Sequence, residues 1–147
     1  MKLAILTPNF SSLPQPEVDD IGELADRGYR SIIGNRPEDE APDQPKWKDL
    51  KAAALARGME AVHIPVVASR IGEADIRAFS EALERLPKPI AAFCRTGTRS
   101  TLLWALANEA SLTAEERIKI AAKEGYDLDP FRALLEGANG APAGKTA

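Results

Sequence analysis

Short apolar segments alternate with amphipathic helical segments along most of the chain, and this alternation restricts the fold more than any other feature. Strands are predicted at residues 1–6, 29–33, 60–64 and 90–93, and helices between them at residues 17–27, 46–57 and 73–86. Strands that are joined through a helix pair in parallel by right-handed crossovers. From Ser100 onward the apolar spacing is wholly helical. The sequence therefore predicts an α/β fold with a mainly parallel sheet of about four or five strands, helices on both sides and a helical C-terminal part.

The length of 147 residues suits a single domain, which we place at residues 1–136. Residues 137–147 have no apolar pattern, so a flexible C-terminal tail is predicted there. The single cysteine cannot form an intramolecular disulfide, which favours the reducing cytoplasm as the compartment. The apolar run at residues 3–6 is too short for a secretion signal or a membrane span.

The formal net charge of −3 argues against the broad basic surface that binds nucleic acids or anionic membranes. We therefore expect neither a nucleic acid nor a membrane as a partner. One histidine and one cysteine do not supply the clustered ligands of a metal site, and no cofactor is predicted. The expected partner is a small anionic molecule, and the oligomeric state stays open.

Residues 93–100 read Phe-Cys-Arg-Thr-Gly-Thr-Arg-Ser and join the most apolar strand directly to a helix. In an open parallel sheet, ligands bind beyond the carboxyl ends of the strands. The N-terminus of the following helix favours an anion through its dipole and its unpaired N–H groups. Cys94 is therefore predicted to be a thiolate nucleophile in an anion-binding loop.

The neighbours of Cys94 have predicted roles in the same loop. Gly97 lets the backbone curl so that successive N–H groups face one concavity. Arg99 carries a planar fork that can hold two oxygens at once. Ser100 is expected to donate its hydroxyl to the sulfur or to cap the helix. Further oxyanion contacts are assigned to the other residues of the loop, Arg95, Thr96 and Thr98.

Cys94 also allows a structural interpretation. Lone cysteines are commonly buried and unreactive. Arg95 and Arg99 would add no packing energy beside a structural cysteine, whereas two positive charges suit a thiolate or an oxyanion. The functional interpretation is therefore favoured.

Other candidates lie outside this loop. Asn35 and Arg36 follow a predicted strand and could overhang the same edge of the sheet, so Arg36 is included as a substrate contact. His63 lies within a strand and is expected to be a core residue or to support the residues of the site rather than to catalyse. Trp47 and Trp104 fall on apolar helix faces and are assigned to the core.

Several segments of the chain carry a family resemblance. They are Gln15-Pro16 and residues 28–30, 35–37, 63–66, 93–100 and 125–127. Together they resemble the bacterial beta-lactamase-hydrolase-like, phosphatase-like domains, a group also associated with sulfur transfer. The loop is similar to the cysteine-phosphatase signature and to the rhodanese loop, which carries a persulfide. The resemblance implies a cysteine-phosphatase-like fold with Cys94 and Arg99 as catalytic residues.

The sequence departs from the usual phosphatase pattern in three ways. Four residues rather than five separate Cys94 from Arg99, and phenylalanine rather than histidine precedes the cysteine. Residues 67–72, where a dual-specificity phosphatase has its general-acid aspartate, contain no carboxylate. Glu73 and Asp75 are the nearest carboxylates and are candidate proton donors, although acids in a first helical turn mostly interact with the helix dipole.

Three functions follow from the loop. The first is a cysteine-dependent phosphatase-like hydrolase, which the whole-chain resemblance and Ser100 favour. The second is a rhodanese-type sulfurtransferase that carries a persulfide on Cys94, which the short loop and the missing acid favour. The third is a non-catalytic module that binds an oxyanion or a phosphoprotein, and it requires an inert thiol.

Overall fold

Residues 1–139 are described by a computed structural model of the chain. The strands are β1 (Ala4–Thr7), β2 (Phe10–Leu13), β3 (Ser31–Gly34), β4 (Glu60–His63) and β5 (Ile90–Phe93). The helices are α1 (Asp20–Asp26), α2 (Trp47–Ala56), α3 (Glu73–Arg85), α4 (Thr98–Ala107), α5 (Ala114–Lys123) and α6 (Arg132–Asn139). The strands and helices that the sequence predicts between residues 17 and 93 are all present.

The strands form one five-stranded sheet in the order β1-β2-β5-β3-β4. The pairs β2–β5, β5–β3 and β3–β4 are parallel, whereas β1 is antiparallel to β2. β5 pairs along its whole length with β2 and β3, so the strand that precedes Cys94 is central. The predicted α/β fold with a mainly parallel sheet is confirmed.

β2 is a strand that the sequence analysis did not predict. Two of its four residues are serines, and both are buried. Their hydroxyls have partners, because Ser11 Oγ lies 2.6 Å from Tyr29 Oη and Ser12 Oγ lies 2.7 Å from Thr101 Oγ1. A strand with buried polar residues lacks the apolar alternation by which strands are recognised in a sequence.

Helices cover both faces of the sheet, as predicted. Successive residues of a strand point to opposite faces. Ala91 and Phe93 of β5 accordingly pack with the buried residues of α1 and α2, whereas Ile90 and Ala92 pack with those of α3 to α6. The sheet therefore has a core on each side.

The C-terminal part is helical through α6, which extends to Asn139 and past the predicted domain limit at residue 136. Residues 140–147, most of the predicted tail, lie outside the described part of the chain. Arg117 of α5 is buried and donates hydrogen bonds to the carbonyls of Ala105 (2.6 Å) and Leu135 (3.2 Å), which joins α5 to its helical neighbours. Among residues 1–139 there is no helix long and apolar enough to cross a bilayer.

Candidate active site

The carboxyl ends of the parallel strands meet at one edge of the sheet. The Asn35 N–H, directly after β3, donates to the Phe93 carbonyl at the end of β5 (2.8 Å). The Gln15 N–H, beyond β2, donates to the Arg95 carbonyl (3.2 Å). Segments that are distant in sequence therefore surround the loop of residues 94–97, as the parallel topology requires.

Cys94 lies at the centre of this loop. Its Sγ accepts hydrogen bonds from the backbone N–H groups of Gly97 (3.1 Å) and Arg99 (3.3 Å). Only 1% of the residue surface is exposed. Two N–H groups at a helix N-terminus stabilise a negative charge on the sulfur or on an oxyanion next to it.

Gly97 is the N-cap residue of α4 and has a φ of 95°, a conformation that favours glycine. A Cβ at this position would collide with the Tyr126 hydroxyl and would lie 3.2 Å from the Leu13 carbonyl carbon. The loop therefore needs glycine here for two separate reasons, its backbone conformation and the close approach of its neighbours.

Two hydroxyl groups donate hydrogen bonds to backbone carbonyls of the loop. Thr101 Oγ1 donates to the Gly97 carbonyl (2.8 Å) and pairs with Ser12 Oγ in the buried strand β2. Tyr126 Oη donates to the Thr96 carbonyl (2.9 Å) from the segment that follows α5. Burial raises the Tyr126 pKa, and the charge that Cys94 carries as a thiolate raises it further, so this hydroxyl keeps its proton.

Arg99 is held by a carboxylate. Its Nη1 donates to Glu40 Oε2 (2.6 Å) and to the Val66 carbonyl (2.9 Å), and its Nη2 donates to Glu40 Oε1 (2.9 Å). The side chain of Arg99 is 12% exposed and that of Glu40 is 30% exposed. This is a bidentate ion pair that is largely shielded from water.

The pair determines the protonation of both partners. Hydrogen bonding to Arg99 is the largest cause of the lowered Glu40 pKa, and hydrogen bonding to Arg36 lowers it further against the opposing effect of burial. Hydrogen bonding to Glu40 likewise raises the Arg99 pKa, and Cys94 in its ionised form would raise it further. Glu40 is therefore ionised at neutral pH.

Arg36, a predicted substrate contact, reaches the site through Glu40. Its Nε donates to Glu40 Oε1 (3.0 Å), and its Nη1 donates to Gln15 Oε1 (3.2 Å). Only 5% of its side chain is exposed. Arg36 is therefore buried and hydrogen-bonded within the site rather than exposed to solvent.

Ser100 has neither of its two predicted alternative roles, which were a hydrogen bond to the sulfur and capping of the helix. Its hydroxyl donates to Asn35 Oδ1 (2.8 Å) rather than to Cys94. Gly97 rather than Ser100 occupies the N-cap position of α4. The reason is geometric, because the helix begins at Thr98 and Ser100 lies on its buried side, facing the end of β3.

The remaining loop residues lie on the surface side. Arg95 and Thr96 are exposed, and Thr98 is half-buried. The Thr96 hydroxyl donates to Thr98 Oγ1 (3.0 Å), which links the two threonines across Gly97. In the described part of the chain, none of these three side chains has a hydrogen bond to the Cys94 sulfur.

The two candidate proton donors, Glu73 and Asp75, open α3. Asp75 Oδ2 accepts the Gly72 N–H (3.0 Å), so its carboxylate caps the helix N-terminus. Glu73 is exposed in the same turn. Neither has a hydrogen bond to the residues of the loop.

His63 supports the site, as expected. Its ring stacks on Trp47 with centroids 5.0 Å apart and an interplanar angle of 13°. Its Nε2 lies 3.0 Å from the Arg36 carbonyl oxygen. This contact holds the backbone of a residue that binds Glu40. Trp104, the other predicted core tryptophan, is buried in the helical core.

The sequence analysis did not identify Glu40 as part of the site and assigned no role to Tyr126. Glu40 lies in an acidic, proline-rich stretch that is typical of a solvated surface loop, and no local signal connects it to Arg99, which is 59 residues away. Tyr126 belongs to a segment that carried the family resemblance but had no assigned role. Among the residues that the structure describes, no group of three histidine, cysteine or acidic side chains could hold a metal ion.

Comparisons with known proteins identify the family of the chain. Residues 2–111 match the family described as "Beta-lactamase hydrolase-like protein, phosphatase-like domain". A beta-lactamase hydrolase-like protein of Xylella fastidiosa is 34% identical over 130 residues, which is 87% of this chain and 30% of that protein. The chain thus spans about a third of the length of the curated relatives that it matches.

Solved structures share the fold of the chain. The crystal structure of a candidate phosphatase from Neisseria meningitidis superposes with a TM-score of 0.84 and 32% identity, and the match covers 94% of this chain and 99% of that one. TpbA of P. aeruginosa, solved in complex with pTyr, has a TM-score of 0.69 at 12% identity over 94% of this chain and 88% of that one, which shows a common fold. The chain belongs to the family of beta-lactamase hydrolase-like phosphatase-like domains.

Proposed function

We propose that the chain is a cysteine-dependent phosphatase-like hydrolase with Cys94 as its nucleophile. The observation that carries this proposal is the position of the Cys94 sulfur, which accepts the N–H groups of Gly97 and Arg99 at the N-terminus of α4. The same N–H groups and the Arg99 guanidinium suit the oxygens of a bound phosphoryl group. Membership of a phosphatase-like family supports the assignment.

The reaction takes place in two displacements. The Cys94 thiolate attacks phosphorus, so that an S–P bond forms while the P–O bond to the ester breaks, and the leaving oxygen takes its proton from water. Water then attacks the phosphocysteine, the S–P bond breaks, and inorganic phosphate leaves with the thiolate restored. Arg99 and the loop N–H groups stabilise the charge that develops on the phosphoryl oxygens in both steps.

The proposed substrate is a small anionic phosphate monoester. Arg95 is exposed in the loop, so its positive charge is available to attract an anion, and the Arg99 guanidinium is proposed to bind it. TpbA, which shares the fold, was solved with pTyr. The activity of the longer relatives is not assumed, because this chain matches only part of them.

A second function is a rhodanese-type sulfurtransferase, and the observation that favours it is the loop itself. Only four residues separate Cys94 from Arg99, and residues 67–72 lack the carboxylate that would protonate an ester oxygen. The thiolate would attack the outer sulfur of thiosulfate and release sulfite. Cyanide would then attack the outer sulfur of the persulfide and leave as thiocyanate, with the thiolate restored.

One experiment separates these functions. Purified protein is incubated with an aryl phosphate and, separately, with thiosulfate plus cyanide, and Cys94→Ser is the control in both reactions. We expect phosphate release that depends on Cys94. Thiocyanate formation without phosphate release would move the assignment to sulfur transfer, and inactivity in both reactions would favour a binding module.

A further inference from the structure

The Glu40 carboxylate contacts both Arg36 and Arg99. Its two oxygens accept Nη1 and Nη2 of Arg99 at 2.6 and 2.9 Å, and Oε1 also accepts Nε of Arg36 at 3.0 Å. The residues lie on separate elements, because Glu40 belongs to the β3–α2 loop and Arg99 to α4. Charge and geometry thus connect this loop to the oxyanion-binding loop.

The loop that carries Glu40 is itself fixed. Gln44 accepts the Ala41 N–H (3.0 Å) and donates to the Pro37 carbonyl (3.0 Å), which closes the turn on both sides of Glu40. The Glu38 carboxylate accepts the Trp47 N–H (3.1 Å) and thereby fastens the loop to the start of α2. The Glu40 carboxylate therefore has a defined position from which to hold another side chain.

The hydrogens of the Arg99 guanidinium divide into two sets. Both Nη1 hydrogens and one Nη2 hydrogen are used, by Glu40 and by the Val66 carbonyl. Glu40 and Val66 do not use the Nε hydrogen or the second Nη2 hydrogen, and these two form the parallel pair that grips two oxygens of an oxyanion. The Arg99 backbone N–H donates to Cys94 Sγ (3.3 Å), so the residue that carries this pair lies next to the sulfur.

We propose that Glu40 is a positioning residue, which holds the outer edge of Arg99 so that the Nε–H and Nη2–H pair faces the oxyanion above Cys94. The inference rests on the proposed use of Cys94 and Arg99 for oxyanion chemistry. Glu40 does not compete for the oxyanion, because it occupies the Nη1–Nη2 edge of the guanidinium, which is adjacent to the Nε–Nη2 edge. It does not donate a proton either, because its two arginine partners keep it ionised.

The test measures how well inorganic phosphate protects Cys94 from alkylation by iodoacetamide. We expect Glu40→Gln, which loses the charge and one of the two Arg99 contacts, to raise the half-protecting phosphate concentration about tenfold. The matched control is Asp43→Asn, which removes an exposed carboxylate from the same loop and should leave this concentration unchanged within about twofold. Circular dichroism and thermal unfolding of each variant show that it is folded.

A double-mutant cycle shows whether Glu40 acts through Arg99. In an Arg99→Ala background, Glu40→Gln should have no further effect on phosphate protection, because the side chain that it positions is absent. Equal effects of Glu40→Gln in both backgrounds would overturn the proposal, as would tighter phosphate binding by Glu40→Gln alone. If phosphate does not protect wild-type Cys94 at all, it is the oxyanion function itself that fails, and the two failures are thus distinguished.

Discussion

The hydroxyl of Ser100 donates a 2.8 Å hydrogen bond to Oδ1 of Asn35, which joins the first turn of α4 to the end of β3 across 65 residues of sequence. Both residues are fully buried. Asn35 completes the connection, because its Nδ2 donates to the Ile64 carbonyl and its own carbonyl accepts the Val66 N–H. Val66 in turn accepts Arg99, so one buried amide aligns three of the segments that form the site.

Ser100→Ala should therefore destabilise the protein and lower its activity. The substitution leaves the Asn35 Oδ1 buried without its donor, which costs about 1–3 kcal/mol. We expect a lower urea concentration at the midpoint of unfolding. The turnover number should fall by a larger factor than the Michaelis constant changes, because the substitution disturbs the alignment of the loop rather than the exposed contacts. Ser100→Thr keeps the hydroxyl and is the matched comparison. Equal stability of Ser100→Ala and wild type would contradict a role for this hydrogen bond.

Tyr126→Phe tests the contact on the outer side of the loop. The variant keeps the ring and removes the hydrogen bond to the Thr96 carbonyl, so we expect a loss of about 0.5–1.5 kcal/mol in the free energy of unfolding. Protection of Cys94 by phosphate should weaken in parallel, because residues 96 and 97 define the concavity. Tyr29→Phe is a control, since Tyr29 bonds to Ser11 away from the loop. A change in stability without a change in phosphate protection would limit Tyr126 to folding.

The sequence predicted those parts of the site that are contiguous. Cys94, Gly97 and Arg99 lie within one strand–loop–helix segment, so strand prediction, glycine conformation and helix polarity were enough to bring them together. Ser100 was misassigned because the first turn of α4 begins at Thr98, and a helix start is uncertain by more than one residue in a sequence. A change of two positions is enough to turn a side chain from the loop toward the core.

The rest of the site could not be predicted because its signals are not local. Glu40 lies in a loop with several acids, and only the folded chain shows that this one meets Arg99. β2 was missed because its serines are buried through hydroxyl pairs with Tyr29 and Thr101, which a hydrophobic pattern does not contain. Polar contacts between elements that are distant in sequence need a tertiary structure to identify them.

Substitutions of the two loop arginines should have unequal effects. Arg99→Lys keeps a positive charge but loses the planar fork that meets both Glu40 and the oxyanion, so we expect kcat/KM for an aryl phosphate to fall at least about a hundredfold. Arg95→Lys changes an exposed side chain and should cost less than about threefold. Steady-state kinetics at constant ionic strength measures both. Similar small losses in the two variants would mean that charge alone is required.

Stability in acid should depend on Glu40. The pKa of its carboxyl is lowered from the ordinary 4.5, mainly by hydrogen bonding to Arg99, so the unfolded chain binds its proton at a higher pH than the folded chain does. The stabilisation is present above that ordinary value and is lost as pH falls through the folded-state pKa. Urea unfolding of wild type and Glu40→Gln between about pH 6 and about pH 3 should show midpoints that converge as the pH falls.

Glu116, whose pKa is also lowered, titrates in the same range through its capping box with Thr113. Because both proteins retain Glu116, the difference between them isolates Glu40. A constant difference in midpoint over the whole pH range would show that the Glu40 charge does not stabilise the fold.

The nature of the leaving group should limit any phosphatase activity. An alkoxide needs a proton as it leaves, whereas a nitrophenolate does not, and general-acid help is worth about a hundred- to ten-thousand-fold. Residues 67–72 contain no carboxylate, Asp75 caps α3, and the arginine partners of Glu40 keep it ionised. We therefore expect Cys94-dependent hydrolysis of p-nitrophenyl phosphate and weak hydrolysis of an alkyl phosphate such as glycerol phosphate, measured as phosphate release. Efficient hydrolysis of the alkyl ester would contradict this prediction. Because Glu73 is an exposed carboxylate in the first turn of α3, Glu73→Gln would then be the first variant to measure.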